Sequence, residues 1–229
     1  MPVVAPRDGR AGGAWLGLNA SGVFAVLTNL RVAEIDATRQ SRGQVVMEAL
    51  GESGAARAAA RLGRLPADAY NPFNCFVADA HDAFVVVYRG RPEVKELTSG
   101  VRDGRLGVHV IGNADAGVAG AAKIDRVLEQ ARVAAAMPRE QVLPALASIC
   151  REHGSGGIPL DDTCVHAGQT YGTRSSLLLE LAEQAQESRL LWAEGPPCKQ
   201  PYEDFSSLLH ELRQASGNGA AETLARTAS

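Results

Sequence analysis

Three polar residues stand where a side chain can be aimed at a bound carbonyl or oxyanion. The apolar run Val23 to Leu27 breaks at Thr28 and ends on the amide of Asn29. The run Gly107 to Ile111 repeats the pattern and, after Gly112, ends on Asn113. An amide delivered at the end of a buried strand has a rigid support, which a site that holds a carbonyl or developing oxyanion requires. Arg174, within Tyr171-Gly172-Thr173-Arg174-Ser175-Ser176, lies at the mouth of the apolar strand Leu177-Leu178-Leu179. There a guanidinium can bind a carboxylate or lower the pKa of a nearby nucleophile. Plainer readings stay open: Asn29 as the first residue of a turn, Arg174 as a solvated side chain.

Other reactive side chains are dispersed. Cys75, Cys150, Cys164 and Cys198 are far apart and show no C-x-x-C spacing, so they read as reduced, mostly buried thiols. His109 and His166 alternate with apolar neighbours and could meet as metal or heme ligands, but ordinary strand positions explain them as well, and no metal site is assigned. Gly154-Ser155-Gly156-Gly157 lacks the Lys-Ser/Thr ending of a phosphate loop.

The elements that must position these groups follow from periodicity. Ala14 to Leu18 and Val23 to Leu27 flank the turn residues Asn19-Ala20-Ser21-Gly22, a hairpin whose second strand is apolar enough to be buried on both faces. Gln40 to Leu65 is Ala-rich with Val45, Val46, Ala49 and Leu50 at helical spacing, and Gly51 to Gly54 splits it into two helices. Phe73 to Ala80 and Phe84 to Arg89 form a second hairpin, followed by strands at Glu93 to Ser99 and Gly107 to Ile111. Helices are expected from Ala121 to Ala136 and from Arg139 to Glu152, then strands at Thr163 to His166, Ser175 to Ala182 and Arg189 to Ala193. Consecutive hairpins make antiparallel sheet, so the class is α+β. Residues 1–212 are expected to form a single domain and 213–229 a disordered tail.

Composition narrows the function classes. A chain of 229 residues, 45% hydrophobic and 21% charged, can bury one sizeable core and is neither disordered nor membrane-like overall. No apolar run is long enough to cross a bilayer and the start lacks signal-peptide features, so the expected address is cytoplasmic and no integral membrane segment is expected. A net charge of −3 with scattered basic residues argues against nucleic acid as a partner. The abundance of Ala, Arg and Gly suggests a bacterial source.

Gly12-Gly13-Ala14-Trp15-Leu16-Gly17, Val26-Leu27-Thr28-Asn29, Tyr70-Asn71-Pro72-Phe73-Asn74, Ile111-Gly112-Asn113-Ala114 and the Tyr171, Gly172, Thr173, Arg174 segment occur in an order and at intervals that resemble the NRDE family. Its eukaryotic member is the Transport and Golgi Organisation protein 2. The resemblance runs from about Val4 to about Phe205. It implies a four-layer αββα sandwich of antiparallel sheets similar to the N-terminal-nucleophile hydrolases, here lacking the first strands. It also implies that Asn29 and Asn113 match two strand-end amides of the choloylglycine-hydrolase branch and Arg174 its late arginine.

Family members usually begin Met-Cys and carry an Asn-Arg-Asp-Glu signature, and neither occurs in this chain. The expected function is therefore non-catalytic binding or trafficking of a hydrophobic small molecule such as heme or an acyl or lipid metabolite. No catalytic residue is assigned and no cofactor is required, heme entering only as a ligand. The alternative is a cysteine amidohydrolase of the N-terminal-nucleophile type whose nucleophile segment is missing here, so enzymatic activity stays open. A sheet edge left without its first strands would also favour homo-oligomers.

Overall fold

The computed structural model describes residues 1–7, 9, 12–30, 34–97, 107–113, 122–154, 159–169, 171–183 and 187–217. They fall into two units, one built on residues 1–100 with 111–118 and 210–229, the other on 101–110 with 119–209.

The first unit is an antiparallel meander of six strands in sequence order: β1 (Val3–Val4), β2 (Leu16–Asn19), β3 (Phe24–Asn29), β4 (Phe73–Ala78), β5 (Ala83–Tyr88) and β6 (Pro92–Glu96). The expected hairpins are β2–β3 and β4–β5, with Leu18 opposite Phe24 and Ala78 opposite Ala83. The first turns at Gly22, whose φ of 84° favours glycine. Helices α1 (Gly43–Leu50) and α2 (Ala55–Leu62) meet at the expected Gly51 to Gly54 break.

Val45, Val46, Ala49 and Leu50 of α1 and Ala58, Ala59 and Leu62 of α2 pack with Val23, Ala25, Phe73, Cys75, Val77, Val86 and Tyr88. Val85 and Val87 belong instead to a cluster with Leu30 and the half-buried Ile111. Because side chains alternate along a strand, the two clusters occupy opposite faces of β5, and this explains its unbroken apolar run.

Two features close the helical side. Tyr88 stacks on Phe73 with ring centroids 5.1 Å apart, and Tyr70 meets Tyr88 edge-on at 5.8 Å. The Tyr88 hydroxyl donates to the Pro66 carbonyl at 2.6 Å and accepts from Ala69 N at 2.9 Å, so its polar end is satisfied. Asn19 is 1% exposed. Its amide nitrogen donates to the carbonyls of Leu50 (2.9 Å), the last residue of α1, and of Glu52 (2.7 Å) just after it, and its oxygen accepts from Ser21 N and Val23 N.

The second unit pairs α3 (Ala122–Ala135) with α4 (Arg139–Arg151) and contains the hairpin β7 (His166–Ala167) with β8 (Tyr171–Gly172). It also holds a sheet of β9 (Ser175–Glu180), β10 (Arg189–Glu194) and β11 (Glu203–Asp204), with β10 in the middle. Leu143 and Ala147 of α4 pack on Leu178 of β9 with Leu191 and Tyr202 at the margin.

Three expectations need correction. The strand expected from Gly107 to Ile111 is not formed: residues 107–113 carry no regular secondary structure, and the segment is tied to β3 and β4 through the Gly112 carbonyl, which takes the Thr28 hydroxyl and the Asn74 amide. Of the strand expected from Thr163 to His166 only His166 is in a strand, the two-residue β7 (His166–Ala167), and the Val165 amide before it is taken by the Thr173 hydroxyl. Helix α5 (Ser207–Gly217) continues past Leu212, with Leu209 and Leu212 buried; residues 218–229 of the expected tail lie outside the described residues, as do 98–100 after β6. The class is mixed α and β with antiparallel sheets, as expected. Among the described residues no helix is long and apolar enough to cross a membrane.

Candidate functional site

Asn29 is the last residue of β3, opposite Phe73 of β4, and it is exposed where the strand runs out. It lines a cavity of about 320 Å³ shared with Trp15 and with the segment from Ile35 to Gly43 that leads into α1. The Gly12-Gly13-Ala14-Trp15-Leu16-Gly17 motif brings that segment close. A Cβ on Gly13 would lie 2.7 Å from the Gly43 carbonyl carbon, and one on Gly17 would lie 2.6 Å from Leu50 Cδ1. At Gly13 the opposing atoms are backbone and cannot swing aside, so glycine is what lets the hairpin approach α1 so tightly there.

The Tyr70-Asn71-Pro72-Phe73-Asn74 motif holds the opposite wall. Asn71, 8% exposed, accepts from Asp36 N at 3.0 Å and donates to Asp36 O at 2.8 Å, clamping the Ile35–Asp36 segment through its amide. The backbone carbonyls of the motif take arginine donors: Arg39 Nη1 to Tyr70 O at 2.8 Å and Arg42 Nη1 to Pro72 O at 3.3 Å. Both arginines line the cavity with Asn29.

Their electrostatic states differ. Arg39 is paired through Nε with Asp36 at 3.3 Å. The Asp36 carboxyl is held below its usual value, first by the Thr38 hydroxyl at 2.6 Å, then by the Thr38 amide, and less by Arg39. Arg42 has its pKa lowered by burial, the mark of a cation taken partly out of water. Trp15 and Ile35, which also line the cavity, leave 42% and 69% of their surface exposed. The lining carries two arginines against one carboxylate, Asp36, and includes the exposed apolar Trp15 and Ile35, a set that suits a molecule with an anionic or carbonyl head and a hydrophobic body.

Asn113 follows Gly112, the residue through which this second segment of the unit reaches β3. The carbonyl of Gly112 accepts from Thr28 Oγ1 at 2.9 Å and from Asn74 Nδ2 at 3.3 Å, so the residues preceding both expected amides are joined directly. Arg174 belongs to the second unit, where it is exposed between β8 and β9. Of its motif, Tyr171 is 60% exposed, while Gly172 packs on the Val165 carbonyl and Thr173 bonds both polar groups of Val165.

A second cleft, of about 590 Å³, runs along α1 and α2 past Arg57, Arg61 and Arg64. Arg61 is tied to Glu48 at 3.2 Å, so part of that charge is compensated internally. The sequence reading did not find Arg39 or Arg42, although two arginines just before a helix were the available signal. His166, singled out with His109, lies instead against Cys164 and Cys198.

Two comparisons bear on this arrangement. A family model described as Transport and Golgi organisation 2 matches residues 1–190. A human protein, Transport and Golgi organization protein 2 homolog, is 32% identical over 99 residues, covering 41% of this chain and 36% of the human protein. The matched stretch is thus well under half the length of that relative.

Proposed function

The chain belongs to the Transport and Golgi organisation 2 family, and from that premise we propose that it binds, without transforming it, a hydrophobic small molecule with an anionic or carbonyl head, such as heme or an acyl metabolite. The observation that carries the reading is the cavity of about 320 Å³ lined by Asn29, by Arg39 and Arg42 against the single carboxylate of Asp36, and by the exposed Trp15 and Ile35. Hydrogen bonds from a charged donor contribute about 1.5–3 kcal/mol each, and burial of an acyl chain about 0.8 kcal/mol per methylene. The cavity lies at the low end of the range for a whole ligand, which fits enclosure of the head with the hydrophobic body lying against the exposed Trp15 and Ile35.

The reading rests on the first unit alone. Arg174 and the four-layer αββα arrangement remain inferences from family resemblance.

Titration of the full chain with hemin and with a long-chain acyl-CoA tests it, using tryptophan emission in a W192F background so that Trp15 reports. A saturable change with one ligand is expected. Absence of saturation with both overturns the binding reading, and release of a head group from an acyl amide under the same conditions replaces it with the amidohydrolase alternative.

A further inference from the structure

The second unit contains a group of metal-type donors that the binding cavity does not use. One ligand atom each from His153, Cys164, His166 and Cys198 lie within 4.8 Å of one another. The Cys164 and Cys198 sulfurs are 3.5 Å apart, and His166 Nε2 is 3.1 Å from Cys198 Sγ and 3.7 Å from Cys164 Sγ. The rings of His153 and His166 have centroids 5.2 Å apart. We propose that these four side chains form a closed tetrahedral site for a borderline-soft divalent cation of the zinc class.

The distances carry the argument. Metal–sulfur bonds of about 2.3 Å and metal–nitrogen bonds of about 2.0–2.1 Å at tetrahedral angles place two sulfurs about 3.8 Å apart and a sulfur and nitrogen about 3.5 Å apart. The spacings in this unit fall around those values. A thiol pair poised only for a disulfide has no need of two imidazoles on the same point.

The surroundings hold the donors where a cation needs them. His153 follows the end of α4, Cys164 precedes β7, His166 is the first residue of β7, and Cys198 lies in the loop from β10 to β11. The Cys164 amide donates to Glu152 O at 3.0 Å, which fixes the first two segments together. Arg151 Nε donates to Pro197 O at 3.1 Å and brings in the third. Asp162 accepts from Gly154 N at 2.6 Å and places Oδ2 3.4 Å from His153 Nδ1. In the tautomer that carries its proton on Nδ1, facing that carboxylate, Nε2 would keep its lone pair for the cation, the carboxylate–histidine–metal relay of metal centres.

Four protein donors leave no position for substrate, so the site is structural, closing three chain segments as two thiols each release a proton on binding. The family match ends at residue 190, short of Cys198, so family membership does not by itself imply this centre.

The test is Co(II) and Zn(II) uptake by the reduced full chain, read by visible absorption and by metal analysis. The expected result is one ion per chain, with intense tetrahedral d–d bands, a thiolate-to-cobalt charge-transfer band and a higher Tm. C164S and C198S should each weaken the charge-transfer band, while C150S leaves it intact. D162N should lower affinity about 10- to 100-fold while keeping the spectrum, as loss of a positioning carboxylate does. If a ligand variant fails to fold, the wild-type spectrum still decides. Failure of the reduced wild-type chain to take up either ion, or uptake without a thiolate band, overturns the proposal. A Cys164–Cys198 disulfide with no metal uptake after reduction does so equally.

Discussion

The Thr28 hydroxyl donates to the carbonyl of Gly112 at 2.9 Å, across 84 positions of sequence. Each of these residues is followed by an amide, Asn29 in one segment and Asn113 in the other. The bond therefore fastens the end of β3 and the segment carrying Asn113 to each other, and it gives the two expected amides a common anchor in the first unit.

Asn29→Ala and Arg42→Ala should weaken binding of the probe that saturates Trp15 emission. Loss of one neutral hydrogen bond costs about 1 kcal/mol, a few-fold in affinity, whereas loss of a charged donor costs about 1.5–3 kcal/mol, roughly 10- to 100-fold. Fluorescence titration with circular dichroism as a folding control measures both. Equal affinities for both variants and wild type would remove the cavity from consideration.

Asn19→Ala should destabilise the chain by about 2–4 kcal/mol, because it leaves the Leu50 and Glu52 carbonyls and the Ser21 and Val23 amides without the buried partner they share. Denaturant unfolding gives the value. A loss below about 0.5 kcal/mol would mean that water replaces the amide at no cost.

Gly13→Ala should cost about 1–3 kcal/mol, since the new methyl meets the Gly43 backbone at 2.7 Å and backbone cannot swing aside. Gly9→Ala, with nothing within 4 Å, should be near neutral and serves as the control. The difference in Tm between the two variants reads the effect.

Asp79 provides the pH dependence. Burial pushes its pKa up, but hydrogen bonds from the amides of Ala55, Asp82 and His81 outweigh it and hold the carboxyl below its ordinary value. A folded pKa below the unfolded one contributes stability that is present above the unfolded value and lost as pH falls through the folded one. The Tm advantage of wild type over D79N should therefore be largest near neutrality and shrink through the acidic carboxylate range. A gap independent of pH would contradict this.

Cys75, fully buried in β4, has its thiol pushed up to about 12 by burial. It should resist alkylation in the native chain at mildly alkaline pH and react only after unfolding, as peptide mapping would detect. Native modification of Cys75 would show that the first unit opens locally.

Much of the first unit was legible in residue order. The alternation and apolar runs around Asn19 to Gly22 and around His81 located both hairpins, and the glycines at 51 and 54 located the helix break, because these signals act over a few residues. The short motifs likewise pointed to the correct family. Their physical meaning did not show in the sequence: Gly13 and Gly17 are contact points with α1, and Asn71 is a clamp on Asp36.

Residue order alone determined that Asn29 would end a strand and that His166 would stand among apolar neighbours. Only the tertiary structure decided that Arg39 and Arg42 would share a cavity with that asparagine and that His166 would meet His153, Cys164 and Cys198. Local periodicity reports which face of an element is buried, but it carries no record of which distant segments pack on that face. The donors at 153, 164, 166 and 198 come from three chain segments and follow no fixed spacing, so their convergence exists only once α4, the β7–β8 hairpin and the loop after β10 have packed.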